Sequence, residues 1–247
     1  MTRGEEIHTA IERRDATALR RMAEEARTEE TRMLLNLLAE VIDQQPKKTT
    51  QLKRTAQLEF VSSGLAGRPT RCHEVQFYSD DASFLDGFTR FIIGALQAGN
   101  AAIVIATESH RDSLFQRLQA HGLDVSTAEK RGSYISLDVA DTLSKFMVND
   151  FPEPSRFLEV ASGLVSAAAK ATKGKHPRVA ACGECAPVLL TQGKADAAIR
   201  LEQLWDGLAR TYNVDILCGY PMTSFRGEQG SDIFQKICAE HSAVYSQ

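Results

Sequence analysis

Two of the five cysteines in this 247-residue chain, Cys182 and Cys185, stand in C-x-x-C spacing with Glu184 between them. That spacing lets two thiols face one another or one cation, and a helix start beside them would lower their pKa values. A closed zinc site wants four ligands. Cys218 and a histidine such as His73 supply two more only if the fold carries them there. The thioredoxin-like context of a redox dithiol is missing, and small buried cysteines are common in strands. Metal or redox sensing through Cys182, Cys185, Cys218 and His73 is therefore the secondary expectation.

A second set consists of polar residues at places where the pattern puts strand ends: Tyr78, Asp80, Asp81, Glu184 and Tyr220, with Arg111 on a helix start. One of the two aspartates has the type and place of a helix N-cap, which leaves the other to meet a ligand. Glu184 follows an apolar run, where a carboxylate is costly unless paired or solvated. His110-Arg111 opens a helix, and Arg111 could meet a carboxylate or phosphate, although a solvated face explains it equally well. Trp205 reads as core, with Leu201, Leu208 and Ala209 on its stripe. His241 has no legible partner. Gly-x-Ser-x-Gly, Gly-x-Gly-x-x-Gly and His-Glu-x-x-His are all absent, so no catalytic triad, dinucleotide fingerprint or zincin helix is proposed.

The elements that must position these residues centre on Cys72 to Thr107. A β-prone run around Val75 and Phe77 is followed by a polar break at Ser79-Asp80-Asp81. An apolar stripe then runs through Phe84, Leu85, Phe88, Phe91, Ile92 and Leu96, a stop falls at Ala98-Gly99-Asn100, and Ala101 to Ala106 is a continuous apolar run. This is a strand, crossover helix and parallel strand, and in open α/β sheets ligands sit beyond the carboxyl ends of the strands. A P-loop would place glycines and a lysine in the first turn. Tyr78 to Ala82 has neither.

Further along, the pattern predicts a helix from Ser109 to His121 capped by Ser109, and a third strand within Gly132 to Asp138. Helices follow from Ala140 to about Asn149 and from Ser155 to Ala171, then a fourth strand from Arg178 to Cys182. A long helix spans Ala195 to Tyr212, and a fifth strand Asp215 to Cys218 ends in a turn at Gly219 to Met222. A last helix covers 231 to 245 around Ile233, Phe234, Ile237 and Val244. Such alternation implies a parallel sheet covered on both faces.

Residues 1 to 45 read as two helices, the first carrying Ile7, Ala10, Ile11, Leu19 and Met22, the second Met33, Leu34, Leu37, Leu38, Val41 and Ile42. Eleven basic residues match eleven acidic ones within residues 1 to 60, which favours a packing or dimerising hairpin over a DNA reader. Residues 46 to 70 read as a linker. The net charge of −3 gives no reason to expect nucleic acid or an anionic membrane as partner. The longest apolar runs fall short of the roughly 20 residues of a membrane span, and the opening MTRGEEIHTAIERR lacks a signal peptide's apolar core. An odd number of cysteines fits reduced thiols, and the expected location is cytoplasmic.

HEVQFYSDDASFLDGF (His73 to Phe88), GNAAIVIAT (Gly99 to Thr107), HRDSLFQRLQAHGLD (His110 to Asp124), GSYISLDVADTLSKFM (Gly132 to Met147), CGECAPVLLTQG (Cys182 to Gly193), LEQLWDGLA (Leu201 to Ala209) and CGYPM (Cys218 to Met222), taken in this order, resemble the MEDS domain, the methanogen and methylotroph DcmR sensory domain. The resemblance covers most of residues 71 to 245 and implies signal reception in a transcriptional regulator or signalling protein. The order of elements is similar, more distantly, to RecA-like ATPases of the KaiC type. There the first strand ends in a P-loop and an acidic residue orienting the metal closes a later strand. Here those positions hold Tyr78 to Ala82 and Cys182-Gly183, so ATP hydrolysis by that route is not expected.

The expectation is thus an α/β, RecA-like, mostly parallel sheet with helices on both faces over 71–247, preceded by the hairpin and linker. It is a non-enzymatic sensor with a degenerate nucleotide site, binding an unidentified small ligand at Tyr78, Asp80, Asp81, Arg111, Glu184 and Tyr220, with no cofactor. Its partners would be a small-molecule signal or a signalling protein, and the N-terminal helices could form a homodimer. An ATP-binding domain with an unusual loop, the thiol or metal sensor, and a ligand-free interaction module are the alternatives.

Overall fold

In the sheet, β1 (Cys72–Tyr78) is buried at every position, so both faces of that strand must be covered. Val75 and Phe77 alternate with Gln76 and Tyr78, and the same holds for the apolar β2 (Ala101–Ala106). The computed structural model describes residues 72–172, 177–226 and 229–246, together with 15–26 and positions 6, 10, 13, 32, 35, 36 and 39. The chain divides into two compact units, Met1–Pro69 and Thr70–Gln247.

In the first unit, Asp15 caps α1 (Ala16–Glu24) by accepting from the Ala18 amide at 2.9 Å, and Leu19, Met22 and Ala23 are buried. A single first helix through Ile7 and Met22 was expected. The Asp15 cap interrupts it, since an aspartate takes orphan amides better than it sits mid-helix. The linker read at 46–70 and most of the two-helix reading lie outside the described residues.

The second unit is an α/β layer structure. Its six strands lie in the order β3 (Tyr134–Asp138), β2, β6 (Val179–Gly183), β7 (Val214–Pro221), β1, β8 (Ala243–Ser246), and every neighbouring pair is parallel. β1 and β2 belong to one crossover but lie apart, with β6 and β7 between them. On one face, α2 (Asp81–Gln97), α3 (Glu108–Ala120) and α4 (Val125–Arg131) bury Phe84, Phe88, Ile92, Leu114, Leu118 and Val125 against the sheet. The other helices are α5 (Val139–Phe146), α6 (Pro154–Lys170), α7 (Cys185–Thr191), α8 (Ala195–Thr211) and α9 (Gly230–Ala239). Of these, α8 packs on β1 and β7, and α6 on β2 and β6.

Several boundaries differ from the sequence reading for identifiable reasons. Asp80 caps α2, with its carboxylate 2.8 Å from the Ser83 amide. Ser109 does not cap α3: the cap position is Thr107, whose own amide is taken by Glu184. Strand β7 continues through Gly219, Tyr220 and Pro221, where a turn was expected, because β1 is long enough to pair with it as far as Tyr78↔Pro221. Helix α9 ends at Ala239, and Val244 belongs to β8 instead of the helix. The helix predicted to reach Asn149 stops at Phe146. A small antiparallel pair, β4 (Met147–Val148) and β5 (Phe151–Pro152), follows, turning through Asn149 and Asp150, both at positive φ.

Candidate functional site

Two clusters of polar side chains emerge from this frame, on opposite sides of the sheet. The first lies where β6 and β2 end. Gly183 is needed there: a Cβ at that position would sit 2.7 Å from the Ile105 carbonyl oxygen, so only glycine lets the two strands approach this closely. Immediately after it the Glu184 amide donates to the Ile105 carbonyl. The Glu184 carboxylate is buried and fully engaged. It accepts from the Thr107 amide at 2.6 Å and faces His110 Nδ1 at 2.9 and 3.0 Å.

The His110 ring lies against Phe84, with centroids 4.3 Å apart, and its Nε2 is 3.7 Å from Asp81, whose side chain is 80% exposed. Its hydrogen bond to Glu184 raises the imidazole pKa above the ordinary value, against the opposing effect of burial; the charges of Glu184 and then Asp81 add to the rise. Tyr78, packed on Phe84, has its phenol pKa raised by burial and then by Glu184 and Asp81. Arg111 reaches Asp138 at 3.5 Å, while Asp138 also caps α5. The buried Nε of Arg111 has no hydrogen-bond partner among the described residues.

This edge holds Tyr78, Asp80, Asp81, Glu184 and Arg111, together with His110 and Asp138. Tyr220 is not among them. Alternation along β7 turns it, with Cys218, to the opposite face of the sheet from Leu217.

There the second cluster forms. Glu202 of α8 is completely buried, and Tyr220 donates to its Oε1 at 2.6 Å. Its Oε2 lies 3.2 Å from His73 Nε2, 3.4 Å from His241 Nε2 and 3.3 Å from Cys218 Sγ. Cys218 Sγ is in turn 3.6 Å from His73 Nε2, and the two imidazole centroids are 4.1 Å apart. Burial, with His241 beside it, lowers the His73 pKa, and burial followed by Glu202 raises the Cys218 thiol. A small cavity of about 20 Å³, room for about one water molecule, adjoins Cys218 between Ile105, Ala181, Cys185 and Trp205.

The C-x-x-C pair spans two elements. Cys182 belongs to β6 and packs with Phe84, Tyr134 and Leu217, Cys185 belongs to α7, and both adjoin the cavity. All five cysteines are buried, and burial raises the thiol pKa of both Cys182 and Cys185, the opposite of the activation considered from spacing. Sequence reasoning joined His73 to Cys218 but missed Glu202 and His241. Glu202 is a charged residue on the apolar face of α8, next to Leu201 and Trp205, and that mismatch was the available signal.

Among curated proteins, none matches the sequence. A family model does, that of the MEthanogen/methylotroph, DcmR Sensory domain, over residues 72–236, from β1 into α9. The chain belongs to the MEDS family, and both clusters draw on residues inside the matched span.

Proposed function

We propose that this MEDS chain receives a small polar or anionic signal at the strand-end edge and relays it to transcription or signal transduction, without catalysing a reaction. The observation that carries the reading is His110: a largely covered imidazole held by buried Glu184, biased toward its charged form, and faced on the solvent side by the charge of exposed Asp81. A ligand carboxylate or hydroxyl arriving there replaces Asp81 as the partner of His110 Nε2 and brings its other end towards Arg111. Because Asp81 opens α2 and Glu184 precedes α7, that exchange pulls on the turns after β1 and β6. It works as a switch to the extent that the ligand binds one arrangement of those turns better than the other.

The test is a thermal-shift screen of the full chain against small carboxylates, other metabolites and nucleotides, since a ligand of the native state raises the melting temperature. A shift by an organic anion that is lost in His110→Gln and changed in Asp81→Ala supports the reading. A shift that survives both substitutions places the ligand elsewhere, and a magnesium-dependent shift with ATP would favour the nucleotide alternative.

A further inference from the structure

We propose that His73, Glu202, Cys218 and His241 form a metal site for one zinc-type divalent cation. The four donor atoms, two Nε2, one carboxylate oxygen and one sulfur, all lie within 4.8 Å of one another. Four of the six separations, at 3.2, 3.3, 3.4 and 3.6 Å, are close to tetrahedron edges, which come to about 3.3–3.8 Å when ligands stand about 2.0–2.3 Å from zinc.

Counting protons gives the stronger argument. His73 Nδ1 faces the Glu240 carbonyl at 3.1 Å and His241 Nδ1 faces the Ile237 carbonyl at 2.6 Å. A carbonyl only accepts, so each Nδ1 carries the hydrogen, and each neutral ring then presents a bare Nε2 lone pair to Glu202 Oε2. Three acceptors converge, and His241 Nε2 is a buried atom without a hydrogen-bond partner among the described residues. The thiol hydrogen of Cys218 can satisfy only one of these contacts.

Protonating both rings places two stacked imidazoliums against one carboxylate, a net positive charge at side chains no more than 1% exposed, and protonating one leaves the other Nε2 with only the Cys218 thiol hydrogen to accept, over 3.6 Å at His73. A dication resolves the convergence with no net charge: two neutral imidazoles, the Glu202 carboxylate and the Cys218 thiolate ligate it, and the thiol proton leaves to solvent on binding. The outer contacts are those of a metal site, with each imidazole fixed by a backbone carbonyl and Tyr220 holding the non-ligating oxygen of Glu202. The ligand set of nitrogen, oxygen and sulfur donors suits zinc over magnesium or calcium.

The experiment uses untagged full-length chain from zinc-replete and zinc-depleted growth. The replete protein should carry about one zinc per chain by elemental analysis, and the depleted protein should take up cobalt with tetrahedral visible bands and a thiolate-to-cobalt charge-transfer band. Cys218→Ser should abolish the charge-transfer band, whereas Cys182→Ser and Cys185→Ser should leave it. Tyr220→Phe should weaken metal retention about 10–100-fold. Folded wild-type protein that is metal-free after replete growth and gives no tetrahedral cobalt spectrum overturns the proposal, without recourse to any variant. A charge-transfer band that persists in Cys218→Ser does so too.

Discussion

His110 is the residue whose environment makes a measurable claim on pH. Its folded pKa is raised, chiefly by the hydrogen bond to Glu184, while in the unfolded chain it titrates near 6.5. The stabilisation is therefore complete below about pH 6.5 and disappears as pH rises through the folded value. Urea denaturation across about pH 5.5 to 8.5 should show a fall in stability that His110→Gln flattens; equal slopes in the two proteins would mean that folding does not raise the pKa of the ring. The neighbouring aspartates separate by role. Asp80→Ala removes the carboxylate on the Ser83 amide and should cost about 1 kcal/mol, whereas Asp81→Ala, exposed and unburdened by a cap, should stay within about 0.5 kcal/mol. At this scale the sequence was partly readable. Cap chemistry at Asp80 needs only local residue type, but the Glu202 cluster joins positions 73, 202, 218 and 241, which no local pattern connects.

Elements decided what the residues could reach. The alternation along β7 was legible in principle, and it is what puts Tyr220 on the face of Glu202. The ends of elements were harder. His241 was read inside a helix that in fact stops at Ala239, since tertiary pairing of Ala243–Ser246 with β1 overrides the apolar spacing that continues through Val244. The close approach of β6 to β2 supplies a prediction here. Gly183→Ala drives a methyl into the Ile105 backbone and should destabilise the chain by about 1–3 kcal/mol, read as a lower denaturation midpoint with unchanged slope. A variant as stable as the parent would show that the two strands can part. Because the Glu184 amide is anchored to the same carbonyl, the variant should also reduce the pH dependence assigned to His110.

For the whole molecule, the parallel sheet with helices on both faces agrees with what alternating strands and helices implied, and no helix among the described residues is long and apolar enough to cross a membrane. The division between Pro69 and Thr70 predicts that residues 70–247 melt in one cooperative transition when produced alone, with calorimetric and van't Hoff enthalpies equal; two resolved transitions would contradict it. The position of β1 carries one more consequence, for synthesis. This strand is the first of the sheet to leave the ribosome, yet its neighbours are β7 and β8, the last two. Roughly 135 residues separate Tyr78 from Val214, which at about 5–20 residues per second is about 7–27 s of translation. Throughout that interval the apolar residues of Cys72–Tyr78 have no strand to pair with. Nascent chains stalled before Val214 should therefore be captured by holdase chaperones and cleaved readily within β1, and chains released after Ser246 should not.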